Sequence, residues 1–170
     1  MKRKKVTPVT QAEVLLKSRR RCEEQMKVEM YSIKNSVTVD CDIGFIPIDG
    51  TYKKIGYFKA FGEYKLGSAG NSDARHICGM MAYAQERFTN SFWILDLSEL
   101  SYEWGDEMDM ILDFGAINGI DSVAVVYGTN CIAAVATLAG MDRAPEELLA
   151  EEGNFINIQD AYEFLLAKIN

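Results

Sequence analysis

The sequence predicts an α/β fold: a mixed, mostly parallel sheet of about five strands with helices packed on it, plus an N-terminal helix. Three observations carry this. Residues 92–97 (FWILDL) and 122–127 (SVAVVY) are nearly continuous apolar runs, the pattern of strands buried on both faces. Val37, Val39, Cys41 and Ile43 alternate with polar residues, as in a strand with one covered face. The stretches between place apolar residues three and four apart, the spacing of helices that bury one side.

The chain divides by charge into two parts, a basic N-terminal arm and helix over residues 1–35 and the α/β domain over 36–170. Residues 1–34 hold 10 of the 18 Lys and Arg against four acids, a local net of +6, so the remainder of a chain at −7 carries −13. Such an acidic body repels nucleic acid and anionic membrane and favours a basic protein partner. With 48% hydrophobic residues in 170, a core forms without disulfide or metal staples. Cys22, Cys41, Cys78 and Cys131 form no C-x-x-C pair, so neither a zinc site nor a redox motif is signalled. No apolar run approaches the roughly 20 residues that cross a bilayer, and the opening MKRKKVTPVTQAEV lacks a secretory core, so a cytoplasmic protein is expected.

In chain order, Thr10 and Glu13 have capping-box spacing and Val9 and Val14 that of a hydrophobic staple, predicting a helix over about 11–31. Its KSRRR run reads as a solvated face rather than a nucleic-acid contact. A hairpin follows, with Pro47 and Asp49-Gly50 as its turn and a second strand over 55–61. Gly62, Gly67 and Gly70 make the next stretch a loop that matches no nucleotide fingerprint. Asn71 or Ser72 then caps a helix to about Phe88, with Ala74, Ile77, Met81, Ala84 and Phe88 on one face. That helix holds His76, the one histidine, read as structural.

After the central strand, a loop over 98–105 hands over to a helix over 106–118, capped by the Asp106 carboxylate and stopped at Gly119. Met108, Ile111, Leu112 and Gly115 face the sheet, and Met110, Phe114 and Ile117 form a second, outward stripe that calls for a cover, either the N-terminal helix of the same subunit or a partner. Gly128-Thr129-Asn130, between the next strand and a helix over 131–139, is either an anion site at a helix N-terminus or an ordinary turn. A short helix from Pro145, an edge strand over 155–158 and a closing helix over 159–169, with Tyr162, Leu165, Leu166 and Ile169 inward, complete the chain.

The element order, ILDLSELSY before the central loop, SVAVVYG in the next strand and the closing NFINIQDAYEFLLAKI together resemble a STAS domain over about residues 37–170. That family comprises bacterial anti-sigma factor antagonists and the cytoplasmic tails of sulfate transporters, and the resemblance implies a regulatory module that works by protein–protein contact. In its regulated members an Asp-Ser-Ser-Gly-Leu motif is phosphorylated on the second serine. Here the motif falls on Trp104, Gly105, Asp106, Glu107 and Met108, so Asp106 stands at the phosphoserine position and no phosphate is expected on the loop.

The sequence therefore points to a non-enzymatic interaction module without cofactor or metal. Its partner surface is expected at Glu103, Trp104, Asp106, Met110, Phe114 and Ile117, with a homodimer as another occupant, and Phe114→Asp is expected to abolish capture while leaving the domain folded. An acidic immunity protein that neutralises a basic toxin fits the charge as well. An enzyme would have to use the acids Glu103, Asp106, Glu107, Asp109 and Asp113 for a divalent metal or for acid–base chemistry, but acids also gather at helix N-termini for dipole reasons.

Overall fold

The computed structural model describes residues 37–140 and 142–169; the basic arm and the helix expected over 11–31 lie outside the described residues. Strand β1 (Val39–Pro47) turns at Asp49 and Gly50, where Gly50 takes φ 72°, a left-handed conformation open to glycine. It returns as β2 (Lys54–Glu63), antiparallel, with Ile43 opposite Phe58. Helix α1 (Asn71–Phe88) then carries the chain to β3 (Phe92–Leu97), which lies parallel to β2. After a two-residue strand β4 (Leu100–Ser101) come short helices α2 (Met108–Leu112) and α3 (Phe114–Ile117). Strand β5 (Ser122–Tyr127), helices α4 (Ile132–Ala139) and α5 (Pro145–Leu149), strand β6 (Asn154–Phe155) and helix α6 (Ile158–Ile169) follow.

The sheet runs β1-β2-β3-β5-β6, with β4 pairing β2 outside that path. Only β1 is antiparallel to its neighbour. Each crossover from β2 onward steps in the same direction, so crossovers of one hand place the intervening helices on one face. The core follows that division. Phe58, Leu95 and Leu97 pack with Ala74, Ile77 and Met81 of α1, Met108 and Ile111 of α2, and Val135 and Ala136 of α4. On the other face Ile55, Ile94, Ala124 and Val126 are covered by Ala161 and Leu165 of α6. Each aliphatic side chain buried in this way stabilises the fold by about 2 kcal/mol.

Trp93 shows why a glycine stands in the middle of β2. A Cβ at Gly56, its partner in the register, would come within 2.4 Å of the indole, so the ring occupies that space instead. The indole N–H is satisfied by Gln85 Oε1 at 2.8 Å and the Asn90 carbonyl at 3.0 Å.

The mixed, mostly parallel sheet is as expected, with six strands among the described residues where about five were counted. The sixth, β4, is too short to show a period. Several local expectations need correction. Helix α1 is preceded by Gly70 at its N-cap, and neither Asn71 nor Ser72 supplies a capping side chain. The edge strand ends at Phe155 and Ile158 already belongs to α6. The helix expected over 106–118 starts two residues late, at Met108, and is broken at Asp113. Asp106 caps nothing: the N-cap position belongs to Glu107 at φ 66°, with no side-chain capping bond. The interruption falls at Asp113, whose φ of −80° and ψ of −1° leave the α-helical region, while the bonds from Asp113 N–H to the Asp109 carbonyl (2.9 Å) and from Ile117 N–H to the Asp113 carbonyl (3.0 Å) flank the break.

Candidate functional site

The loop between β4 and α2 is tied down along its whole length. Leu100 and Ser101 pair with Gly62 and Glu63 at the end of β2, and beyond them Gly105 bridges Gly67. In that bridge Gly67 N–H donates to the Trp104 carbonyl and Asp106 N–H to the Gly67 carbonyl, each at 3.4 Å. Two tyrosines hold the loop from beneath. Their rings meet edge to face at 5.2 Å, and Tyr64 Oη donates to the Asp106 carbonyl at 2.6 Å while Tyr102 Oη donates to the Gly105 carbonyl at 3.1 Å. Burial pushes both phenols above their ordinary pKa, so both stay protonated and able to donate. A Cβ at Gly70 or Gly105 would come within 2.3 or 2.8 Å of the Tyr64 ring, which accounts for glycine at both positions.

At the far end of the loop, Arg75 of α1 grips Glu107 in a two-point fork, Nε to Oε2 at 3.0 Å and Nη2 to Oε1 at 2.7 Å. The left-handed backbone at Glu107 costs about 1–2 kcal/mol, and the fork fixes the residue in that conformation. On the near side, buried Asp73 in the first turn of α1 accepts from Thr38 N (3.0 Å), Thr38 Oγ1 (3.2 Å), Lys65 N (3.1 Å) and Lys65 Nζ (3.2 Å). Burial alone would raise its pKa, but the two backbone N–H groups and the ammonium outweigh that and hold the carboxyl below its usual range. One carboxylate thus joins the start of the sheet, the segment before Gly67 and α1.

The product of these restraints is a presented side chain. Trp104 is 59% exposed, yet its ring rests against Gly67, where a Cβ would lie 2.8 Å from it. Leu66, also exposed, immediately precedes that glycine.

Of the residues singled out in the sequence, Glu103, Trp104 and Asp106 are exposed on this loop, and Met110 and Ile117 are 42% and 69% exposed on α2 and α3. Phe114 is not part of that surface. It is 7% exposed and lines a small apolar cavity with Phe58, Met81, Trp93 and Val123. Phe114 directly follows the break at Asp113 and lies inward, so the outward stripe is reduced to Met110 and Ile117, and Phe114→Asp would place a charge in the core.

The acidic residues expected here as a metal-binding alternative do not act together. Glu107 is committed to Arg75, and among the described residues no group of three or more His, Cys, Asp and Glu is arranged to hold a metal ion. Burial pushes the Cys41 thiol up to about 12, the Cys131 thiol up to about 11, and Cys78 upward as well, so none is a ready nucleophile. In the turn at Gly128-Thr129-Asn130 the N–H groups of Cys131 and Ile132 donate to the Gly128 carbonyl, at 3.2 and 3.1 Å, and Asn130 O accepts from Tyr102 N at 3.0 Å. Those donors already have partners, and a Cβ at Gly128 would lie 2.0 Å from the Ser98 carbonyl oxygen.

Two buried carboxylates went unnoticed in the sequence. Asp73 had no signal beyond its place in a helical first turn. Asp96 did: it interrupts the run FWILDL, and a charge inside a strand buried on both faces needs partners. They are the Tyr57 hydroxyl and Ser98 N–H, the latter at 2.9 Å.

No protein-family model matches the chain, and no curated protein matches it. Among solved structures it is similar to an uncharacterized protein from the DUF3478 family of Shewanella loihica PV-4, described as having a SpoIIAA-like fold. That protein is 18% identical, the match covers 81% of this chain and 99% of that one, and the TM-score is 0.41.

Proposed function

We propose that this chain is a non-enzymatic interaction module that captures a protein partner on Trp104 and the clamped loop bearing it. The observation that carries the reading is the combination of exposure and restraint at Trp104. A large aromatic held in place before binding loses little conformational freedom when a partner covers it, which is how aromatic anchors come to dominate interfaces. The loop and the helix after it carry the exposed acids Glu103, Asp106, Asp109 and Asp113, on a body whose 36–170 portion carries −13, so the partner surface that fits is basic. A regulatory module of STAS type and an acidic inhibitor of a basic protein would both use such a surface. In the former case Asp106 contributes its backbone to the clamp and leaves a carboxylate exposed where the regulated members carry phosphoserine.

The test is affinity capture from the native cell with the full chain, its Trp104→Ala variant and a control, Ile156→Ala, altered at another exposed apolar residue. Trp104→Ala is expected to lose the partner that both other proteins retain, with sedimentation showing whether a second copy is that partner. Equal capture by all three proteins would overturn the reading.

A further inference from the structure

Beside Trp104 lies a cleft of about 280 Å³ whose walls include Thr38, Glu63, Leu66, Ser101 and Glu103. It opens where the start of β1 meets the paired ends of β2 and β4, since Thr38 Oγ1 donates to the Glu63 carbonyl and Glu63 stands opposite Ser101 in the register. We propose that this cleft binds one cationic side chain of the basic partner, arginine or lysine, between the carboxylates of Glu63 and Glu103, while Trp104 and Leu66 cover an adjoining apolar residue. The inference rests on the proposed partner-binding role and supplies its recognition chemistry.

Charge decides the class of ligand. Both glutamates are exposed and neither carboxylate has a hydrogen bond or ion pair among the described residues, whereas the ammonium of Lys65, also in the wall, is held by buried Asp73. The two glutamate charges are therefore left to act on whatever enters. Size agrees with this: the cleft is at the bottom of the range used for whole small-molecule ligands and suits a side chain. Position links it to the anchor, because Glu103 precedes Trp104 and Leu66 precedes the glycine on which the indole rests. Single ion pairs at a surface contribute little, but two carboxylates that line one concave site act together on the cation it holds.

The probe is N-acetyl-arginine amide, with N-acetyl-citrulline amide as its neutral isostere, titrated at low salt into the full chain and followed by amide NMR. The arginine compound is expected to shift the amides of Thr38, Leu66, Ser101 and Glu103. The citrulline compound should bind roughly tenfold more weakly, as should the arginine compound with a Glu63→Gln, Glu103→Gln double variant whose spectrum is otherwise native. Equal response to both compounds, unchanged binding by the double variant, or shifts scattered over the other exposed acids would overturn the assignment. Such a failure is distinct from failure of the partner-binding reading: if Trp104→Ala still abolishes capture, the cleft loses its ligand and the anchor stands.

Discussion

Phe114 and Ile117 lie one turn apart and differ completely in what they do. Phe114 is packed among Phe58, Met81 and Trp93, and cutting it to alanine is expected to cost about 3–5 kcal/mol by transfer and cavity terms together. Phe114→Asp should not give a folded protein at all. Ile117→Ser, at an exposed position, should change stability by no more than about 0.5 kcal/mol, and urea denaturation of the three variants separates these outcomes. Asp73 gives a pH-dependent counterpart. Its folded pKa lies below the unfolded value of about 3.9, so the stability it contributes is fully present above that value and is lost as pH falls through the folded pKa. Asp73→Asn is accordingly expected to weaken the protein at neutral pH and to flatten the loss of stability below about pH 4, read from thermal midpoints across an acid series. An acid limb as steep as that of the unmutated protein would show that other carboxylates control it.

At the scale of elements, the loop and helix after β3 show where periodicity informs and where it misleads. The period of 3.6 placed Met108, Ile111, Leu112 and Gly115 toward the sheet, and Met108, Ile111 and Gly115 are buried with Leu112 packed beside them. It failed at Phe114, which directly follows the break in the helix at Asp113, and nothing in the local sequence announces that break. The clamp was equally hidden, since it depends on Tyr64 and Arg75 reaching residues 42 and 32 positions away. Two glycines test whether it positions Trp104. Gly119 takes φ 64° with nothing within 4 Å of a Cβ, so Gly119→Ala should cost about 1 kcal/mol from backbone strain and leave Trp104 untouched. Gly67 takes φ 58° and ψ −142°, a region nearly closed to any residue but glycine, and has the indole 2.8 Å from a Cβ, so Gly67→Ala carries at least that strain and must also move the ring. The Trp104 indole N–H resonance is expected to shift in the Gly67 variant alone; an unmoved signal would mean the glycine does not position the anchor.

For the whole molecule, the order of strands and helices was legible because buried strands and one-sided helices each impose a period on their own sequence, whatever they later touch. The junctions were not, since they are made by pairs distant in the chain, and Thr38 is the clearest example. Its N–H donates to Asp73, its one hydroxyl hydrogen is shared between the Glu63 carbonyl and Asp73, and Val39 immediately after it is buried. Both described core clusters draw on residues from Val39 onward. A protein beginning at Ser36 retains all of these groups and carries −13 instead of −7, a change that raises self-repulsion without removing a described core contact. It is expected to unfold in a single cooperative transition. A protein beginning at Asp40 loses the Thr38 bonds and the Val39 side chain, leaves one side of buried Asp73 unpaired, and should be weaker than the first by about 3 kcal/mol. Chemical denaturation of the two decides the boundary: if the longer one does not fold, residues before Ser36 belong to the core, and if the two are equally stable, the Thr38–Asp73 junction holds nothing together.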